Sequence, residues 1–356
     1  MKKYVLFFGF LVSSLANEKI FVVERESSSL AIIENSIVTD HILDMKDMNH
    51  GVVKFYEKDG FVITRDGFVL RFDPDKNVIL NEYKTSKSAI GFVIEKDFVA
   101  VANYDDKSVD ILTKDLKPIQ KIITNSRNVG IKTYKDYLIF AQMDSDTITI
   151  LKRNPKNKPF FLPYKEFKNV GIMPFDAMMD NQNFIVGFFK SPYFGVIDMD
   201  KMELKQIKIT AQNDQPVLKV PHFGFWSIGS KQVFIPAVGD NKVLVYDNEF
   251  HFIKNITTKG LPVFTALSPN KKYLAVTFSG ENFPFIQIID TNTLEVIKEF
   301  HFDGKVLHLR WSEETPNLYV SVNDTNKIAV INTNDWVLTK EIFQVKKPSG
   351  IFIYND

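Results

Sequence analysis

A short strand that ends on a polar residue recurs along the whole 356-residue chain. The segments are Leu30–Glu34, Val69–Asp73, Val109–Thr113, Thr149–Lys152, Val196–Asp198, Leu244–Asp247, Gln287–Asp290 and Ala329–Asn332. Successive closing residues lie 39, 40, 39, 46, 49, 43 and 42 positions apart. That period suits one four-stranded propeller blade. The segment Val217–Asp247 displays the unit. An apolar strand Phe223–Ile228 and a Gly-Ser-Lys turn lead to Gln232–Val238; a Gly-Asp-Asn turn then leads to Lys242–Tyr246, closed by Asp247. The strands alternate and are rich in Val, Ile, Phe and Tyr, while Asp, Asn, Gly and Lys fill the turns. No helical periodicity of useful length appears. Eight closing strands predict an all-β, eight-bladed propeller of four-stranded antiparallel blades.

The two ends of the chain predict how the ring closes. Ser349–Tyr354 reads as an innermost strand with nothing after it. Lys19–Glu34 reads as outer strands with no inner strand before them. Pairing them makes one blade from both termini and removes the open edge that an unclosed ring exposes. Asn154–Tyr164, rich in Pro and Lys, and Thr210–Pro221 read as loops that account for the two longest intervals.

Ahead of the first repeat, residues 1–16 read as a secretory signal. Lys2 and Lys3 form a basic start, Tyr4–Val12 is apolar, and Ser13-Ser14-Leu15-Ala16 offers small residues for cleavage after Ala16. The alternative reading of this stretch is a buried N-terminal strand. The apolar run is short for a bilayer span and no later run approaches that length. The signal predicts an exported, soluble protein with residues 17–356 as one propeller domain and no membrane anchor. There are no cysteines. That excludes disulfides, thiolate metal sites, a thiol nucleophile, a lipoprotein anchor and covalently attached c-type haem, and it suits an oxidising compartment such as a bacterial periplasm. Removing Lys2 and Lys3 takes the 44 basic side chains to 42 against 43 acidic ones, so no nucleic-acid footprint is expected.

Blade phase singles out candidate site residues. His50 lies 23 residues before Asp73, His222 lies 25 before Asp247, His308 lies 24 before Asn332, and Arg127 lies 25 before Lys152. All four therefore sit just before or at the start of an innermost strand, where the connecting loops share one face of the ring. Taken singly, each is an ordinary strand-edge residue; the shared phase argues for one site at the channel mouth. His41, His251 and His301 fall at other phases and read as surface residues. Trp226, with Phe223 and Phe225, offers either inner-strand packing or an aromatic wall against a planar ligand. Histidines with an arginine and no cysteine suit a metal, haem or anion site. H-E-x-x-H, G-x-S-x-G, G-x-G-x-x-G and the P-loop motif are absent. Asp73-Pro74-Asp75 opens like an EF-hand loop but lacks its later ligands, so it reads as a turn, as do Asp105-Asp106 and Asp198–Asp200.

Several stretches carry a resemblance to a known family: VPHFGFWSIGSKQVFIPAVGDNKVLVYD (220–247), GLPVFTALSPN (260–270), KVLHLRW (305–311) and KPSGIFIY (347–354). Weaker ones are VVERESSSLAII (22–33), MNHGVV (48–53), TRDG (64–67), NYDD (103–106), SRNVG (126–130) and MPFDA (173–177). Over nearly the whole mature chain the sequence resembles the NirF family of haem d1 biosynthesis proteins, similar in turn to the d1-haem propeller of cytochrome cd1 nitrite reductase. The resemblance implies a periplasmic propeller that binds haem d1 or its precursor dihydro-haem d1 non-covalently over the channel mouth. His50 matches the position suspected of ligating the haem iron. His222 and His308 match the pair facing the other side of the ring, and with Asp144, an acidic position of the family, they are the catalytic candidates. Arg65 and Arg127 match basic positions suited to the tetrapyrrole carboxylates, and Trp226 joins the binding set. Cytochrome cd1 nitrite reductase and other haem d1 assembly proteins are the implied partners. Lacking a c-type haem motif, the chain is not expected to be the reductase itself. Three functions stay open at this point: a tetrapyrrole-modifying enzyme, a carrier without chemistry, and an unrelated propeller such as a lactonase or interaction scaffold.

Overall fold

The computed structural model describes residues 18–156, 158–209, 226–237, 240–278, 282 and 284–355. The predicted signal at 1–16, His222, Phe223, Phe225 and the predicted loop Thr210–Pro221 lie outside the described residues.

Eight four-stranded antiparallel sheets form the ring. Seven are built from consecutive strands. In the eighth, blade 1, the order runs Ile37–Ile42, Ser29–Glu34, Lys19–Glu24 and then Pro348–Tyr354, so the last strand of the chain is innermost. The other innermost strands are Val52–Tyr56, Ala89–Ile94, Asn128–Tyr134, Pro174–Asp180, Ser227–Ile228, Pro262–Leu267 and Val306–Trp311, for blades 2 to 8. They contact one another from blade to blade around the channel.

Burial follows position in the blade. In blade 3 the second and third strands, Val99–Asn103 and Ser108–Leu112, are buried at every residue, because a neighbouring blade covers each face. These strands therefore read as continuous apolar runs. Outer strands such as Val78–Lys84 and Val337–Ile342 are exposed at most positions, and their charged side chains keep the free edge from pairing with another chain. The core lies between blades: Ile185 and Phe194 of blade 5 pack with Val233, Ile235 and Tyr246 of blade 6.

The periodic polar residue has a local cause. In five blades, at Asp73, Asp198, Asp247, Asp290 and Asn332, it ends the third strand and caps the turn into the fourth. Asp73 Oδ1 accepts from the backbone N–H of Asp75 and Lys76, both at 3.0 Å. Asp198 repeats this with Asp200 and Lys201, and Asp290 with Asn292 and Thr293. Four residues on, Asn77, Met202 and Leu294 adopt positive φ to re-enter the sheet. The turn chemistry expected at Asp73-Pro74-Asp75 and Asp198–Asp200 is thus what the structure contains. One boundary differs: Phe161–Phe167 is the outer strand of blade 4, so the predicted loop at Asn154–Tyr164 ends at Phe160. An outer strand tolerates Pro163 because its outward edge donates to no neighbour.

Ring closure pairs Ile20 with Ile353, Phe21 with Phe352 and Val22 with Ile351, followed by a bulge before Glu24. Glu24 is fully buried beside this bulge. Its carboxylate accepts from the hydroxyls of Ser27 (3.2 Å) and Ser29 and from the backbone N–H of Lys346 (2.8 Å), and His41 lies 3.6 Å away. One side chain thereby ties the N-terminal strand to the segment that returns the C-terminus to the ring. Glu24→Ala leaves a part-buried N–H and the Ser27–Ser29 hydroxyl pair without this acceptor, and should cost about 1–3 kcal/mol in urea unfolding. An unfolding midpoint equal to wild type would show that Glu24 does not hold the closure.

Candidate functional site at the channel mouth

Strand direction decides which loops meet at one mouth. Innermost strands all run the same way, and second strands run back antiparallel to them. Residues just before an innermost strand and just after a second strand therefore share one face. His50 and Arg127 take the first position, and Arg25, Arg65, Tyr104 and Asp144 take the second.

His50 ends a 3-10 turn, Met48–His50, whose first N–H groups are capped by the Asp47 carboxylate and whose buried Met48 anchors it. The imidazole is exposed and makes no hydrogen bond among the described residues. Partial burial, and then the charges of Arg65 and Arg25, hold its pKa below the usual histidine value against the opposing field of Asp47. The ring is accordingly neutral near pH 7, with a lone pair available to a metal. Arg65 donates through Nη1 to Ser88 Oγ (2.8 Å), and its backbone N–H reaches Asp47 O (2.9 Å), tying it to the His50 turn.

Arg25 is the residue that sequence reasoning missed. Its guanidinium pKa is lowered by burial, its Nε is buried without a hydrogen-bond partner, and it forms no ion pair among the described residues. A half-buried arginine in that condition needs an anion. The signal was present: Arg25 and Arg65 lie one blade period apart and each follows a second strand.

Arg127 is compensated. Its Nε donates to Asp144 Oδ1 (2.8 Å), its backbone N–H to Asp144 Oδ2 (2.9 Å), and its Nη1 to the Tyr104 hydroxyl (2.8 Å). Lys107 Nζ lies 3.7 Å from the same carboxylate. Arg127 holds Asp144 below the ordinary carboxylate range, and Asp144 raises Arg127 in return. Asp144 is thus ionised at neutral pH and fixes the plane of the guanidinium.

His308 is the third residue of its strand, slightly deeper than the phase count implies. Its Nδ1 accepts from the backbone N–H of Ile351 (3.2 Å), while Arg310 Nε donates to the carbonyl of Ile351 (3.3 Å). Blade 8 side chains thereby satisfy both backbone polar groups of Ile351 on the channel-side edge of blade 1. Burial, with Arg310 adding to it, pushes the His308 pKa well below the usual value. A neutral ring that accepts at Nδ1 carries its proton on Nε2, so its remaining polar group is a donor. Phe264 and Phe352 flank the ring at 4.5 and 5.9 Å.

Trp226 is buried, edge-on to Phe194 at 5.2 Å in the core between blades 5 and 6. Its ring packs rather than walls the mouth; the aromatic surface beside a site histidine comes from Phe264 and Phe352. His251 and His301 stand beside Asp247 and Glu299 on outer parts of their blades, as the phase count predicts, and His41 lies on the outer strand of blade 1. The described residues thus unite His50, Arg65 and Arg25 at one sector of the mouth, with Arg127–Asp144 and His308 at others. No helix among them is long and apolar enough to cross a membrane.

Comparison with known proteins agrees with the propeller fold. The protein NirF of Stutzerimonas stutzeri is 28% identical over 356 residues, covering 93% of this chain and 90% of the relative. NirF of Pseudomonas aeruginosa is 27% identical with the same coverage. Among solved structures, the dihydro-heme d1 dehydrogenase NirN in complex with DHE superposes with a TM-score of 0.81 at 18% identity, over 94% of this chain and 74% of that one. AztD from Citrobacter koseri has the same fold, with a TM-score of 0.73 at 14% identity, over 96% and 98% of the two chains. Residues 16–356 match the cytochrome D1 heme domain, and the chain belongs to that family.

Proposed function

We propose that this protein binds haem d1 or its late precursor dihydro-haem d1, non-covalently, across the mouth of the propeller, during maturation of the cofactor for cytochrome cd1 nitrite reductase. The observation that carries the reading is the uncompensated sector of Arg25, His50 and Arg65. A half-buried guanidinium with an unmet Nε suits a carboxylate of the tetrapyrrole, and the neutral imidazole beside it suits the iron. Arg127, held by Asp144, serves a second carboxylate. His308 offers a fixed N–H donor to the ring edge or an axial group. The basic, apolar and small-residue order of residues 1–16 supports export to the periplasm, where the other haem d1 assembly proteins are the expected partners.

Proton positions favour holding over chemistry for the described residues. Asp144 is committed as an ion to Arg127, and His308 is neutral with its tautomer fixed. Neither is poised to exchange a proton near pH 7. The carrier reading is therefore preferred, and an enzymatic role rests on His222.

Titration with haem d1 and dihydro-haem d1, followed in the Soret region, tests the reading. Wild type should shift the spectrum saturably, and His50→Ala should lose the iron-ligand component and bind at least tenfold more weakly, about 1.4 kcal/mol. If neither tetrapyrrole shifts the wild-type spectrum, the proposal fails. Prolonged incubation of dihydro-haem d1 with the isolated protein and an added two-electron acceptor should oxidise it no faster than the acceptor alone; protein-dependent oxidation to haem d1 would establish the enzyme instead.

The Arg127–Asp144 pair gives a second expectation. Arg127→Gln should weaken binding by about tenfold, and Asp144→Asn by a few-fold, because Asp144 acts by orienting the arginine. The double variant should bind no worse than Arg127→Gln alone. Additive losses in that cycle would give Asp144 a direct role toward the ligand.

A further inference from the structure

Below the mouth, the channel contains a second cluster of charge. Lys54 is the third residue of the innermost strand of blade 2, Lys132 the fifth of blade 4, and Asp176 the third of blade 5. Counting from His50 and Arg127, the lysines lie on the order of 10 Å further along their strands. Lys54 Nζ donates to the carbonyl of Phe92, on the innermost strand of blade 3, at 2.6 Å, and rides the Phe92 ring at 4.8 Å. Lys132 makes no hydrogen bond or ion pair among the described residues.

The backbone is shaped around this cluster. The register of blade 4 shifts between Val129 and Lys132, and that of blade 5 between Pro174 and Ala177. Gly130, in the first bulge, has φ +55, and a Cβ there would stand 2.7 Å from the carbonyl oxygen of Phe175 in the second. Two bulges thus meet, and each re-aims a charged residue on its strand. Asp176, whose Oδ1 also accepts from the backbone N–H of Ala177 (2.8 Å), is the one acid whose charge acts on both lysines among the described residues, so two amines share one carboxylate there. Burial first, then Lys132, brings Lys54 to about 7, with Asp176 opposing.

We propose that Lys54 and Lys132 hold a singly charged oxyanion, a carboxylate, inside the central channel, with Asp176 setting the balance at one negative charge. The carboxylate is either a free small acid or an acidic arm of the tetrapyrrole; only the second source rests on the function proposed above. The ammonium groups supply donors beyond the one spent on Phe92, and the low-dielectric channel strengthens the pairing.

Lysine labelled with 13C at Cε reports the site directly in the intact protein. Two resonances should titrate below ordinary lysines; the one near 7 should disappear in Lys54→Met and the other in Lys132→Met. Should the Lys54 variant fail to fold, the displaced resonance that Lys132→Met leaves in place is that of Lys54. Sodium acetate, against sodium chloride at equal ionic strength, should raise the midpoint saturably by about one unit, and Lys132→Met should abolish the response. A rise with acetate assigns a free acid. A rise with the tetrapyrrole alone, absent with its methyl esters, assigns the arm. A midpoint unmoved by both overturns the proposal. Soret binding with unmoved lysine signals leaves the tetrapyrrole reading standing and removes the channel site. Absence of Soret binding removes the tetrapyrrole reading, and the acetate response then decides the channel site alone.

Discussion

Every blade of a closed ring has an innermost strand whose channel-side edge has no strand to pair with. The N–H and C=O groups on that edge must be met by other means, since little water competes in a narrow channel. Here charged and aromatic side chains of neighbouring inner strands meet them. His308 and Arg310 take the two polar groups of Ile351, and Lys54 takes the carbonyl of Phe92. Each contact spends one polar atom and fixes the side chain against backbone from another blade. The groups left over, Nε2–H of His308 and the remaining donors of Lys54, are then oriented by the ring itself.

The mouth carries two kinds of positive charge. Arg127 has the Asp144 carboxylate on its guanidinium and backbone N–H and the Tyr104 phenol on Nη1, and is satisfied before any ligand arrives. Arg25 has an unmet Nε and no ion pair among the described residues, and Arg65 has only a serine hydroxyl. An acidic planar ligand gains more from the second pair, because charge there is desolvated and unpaired in its absence. In the complex proposed above, this asymmetry would turn the acidic substituents toward blades 1 and 2, the sector that also holds His50.

The architecture was legible because its period has a local cause. An Asp that caps two backbone N–H groups at the end of a third strand must recur in every blade that uses that turn, and Asp73, Asp198 and Asp290 can be counted from the sequence. The phase of His50 and Arg127 followed from the same count. The outer strand at Phe161 was misread because an outer strand is half solvated and tolerates Pro163, so its composition resembles a loop. Trp226 could not be assigned by phase, since neighbouring residues on a strand face opposite sides and the core took its ring. Lys54, Lys132 and Asp176 were invisible for a different reason. A lysine in a strand ordinarily reads as solvated, and the bulges that bring these three together are register shifts without a sequence motif.

The titrating groups divide between mouth and channel in a way that bears on occupancy. At the mouth, His50 is neutral, His308 is neutral and Asp144 is ionised across the physiological range. In the channel, Lys54 sits at about 7, held down by burial and by Lys132. A carboxylate placed beside it adds an opposing charge and raises that value. Linkage then requires that filling the channel at neutral pH takes up part of a proton, and that emptying it releases the same fraction. In the proposed complex the charge of the channel would thus follow its occupant through Lys54.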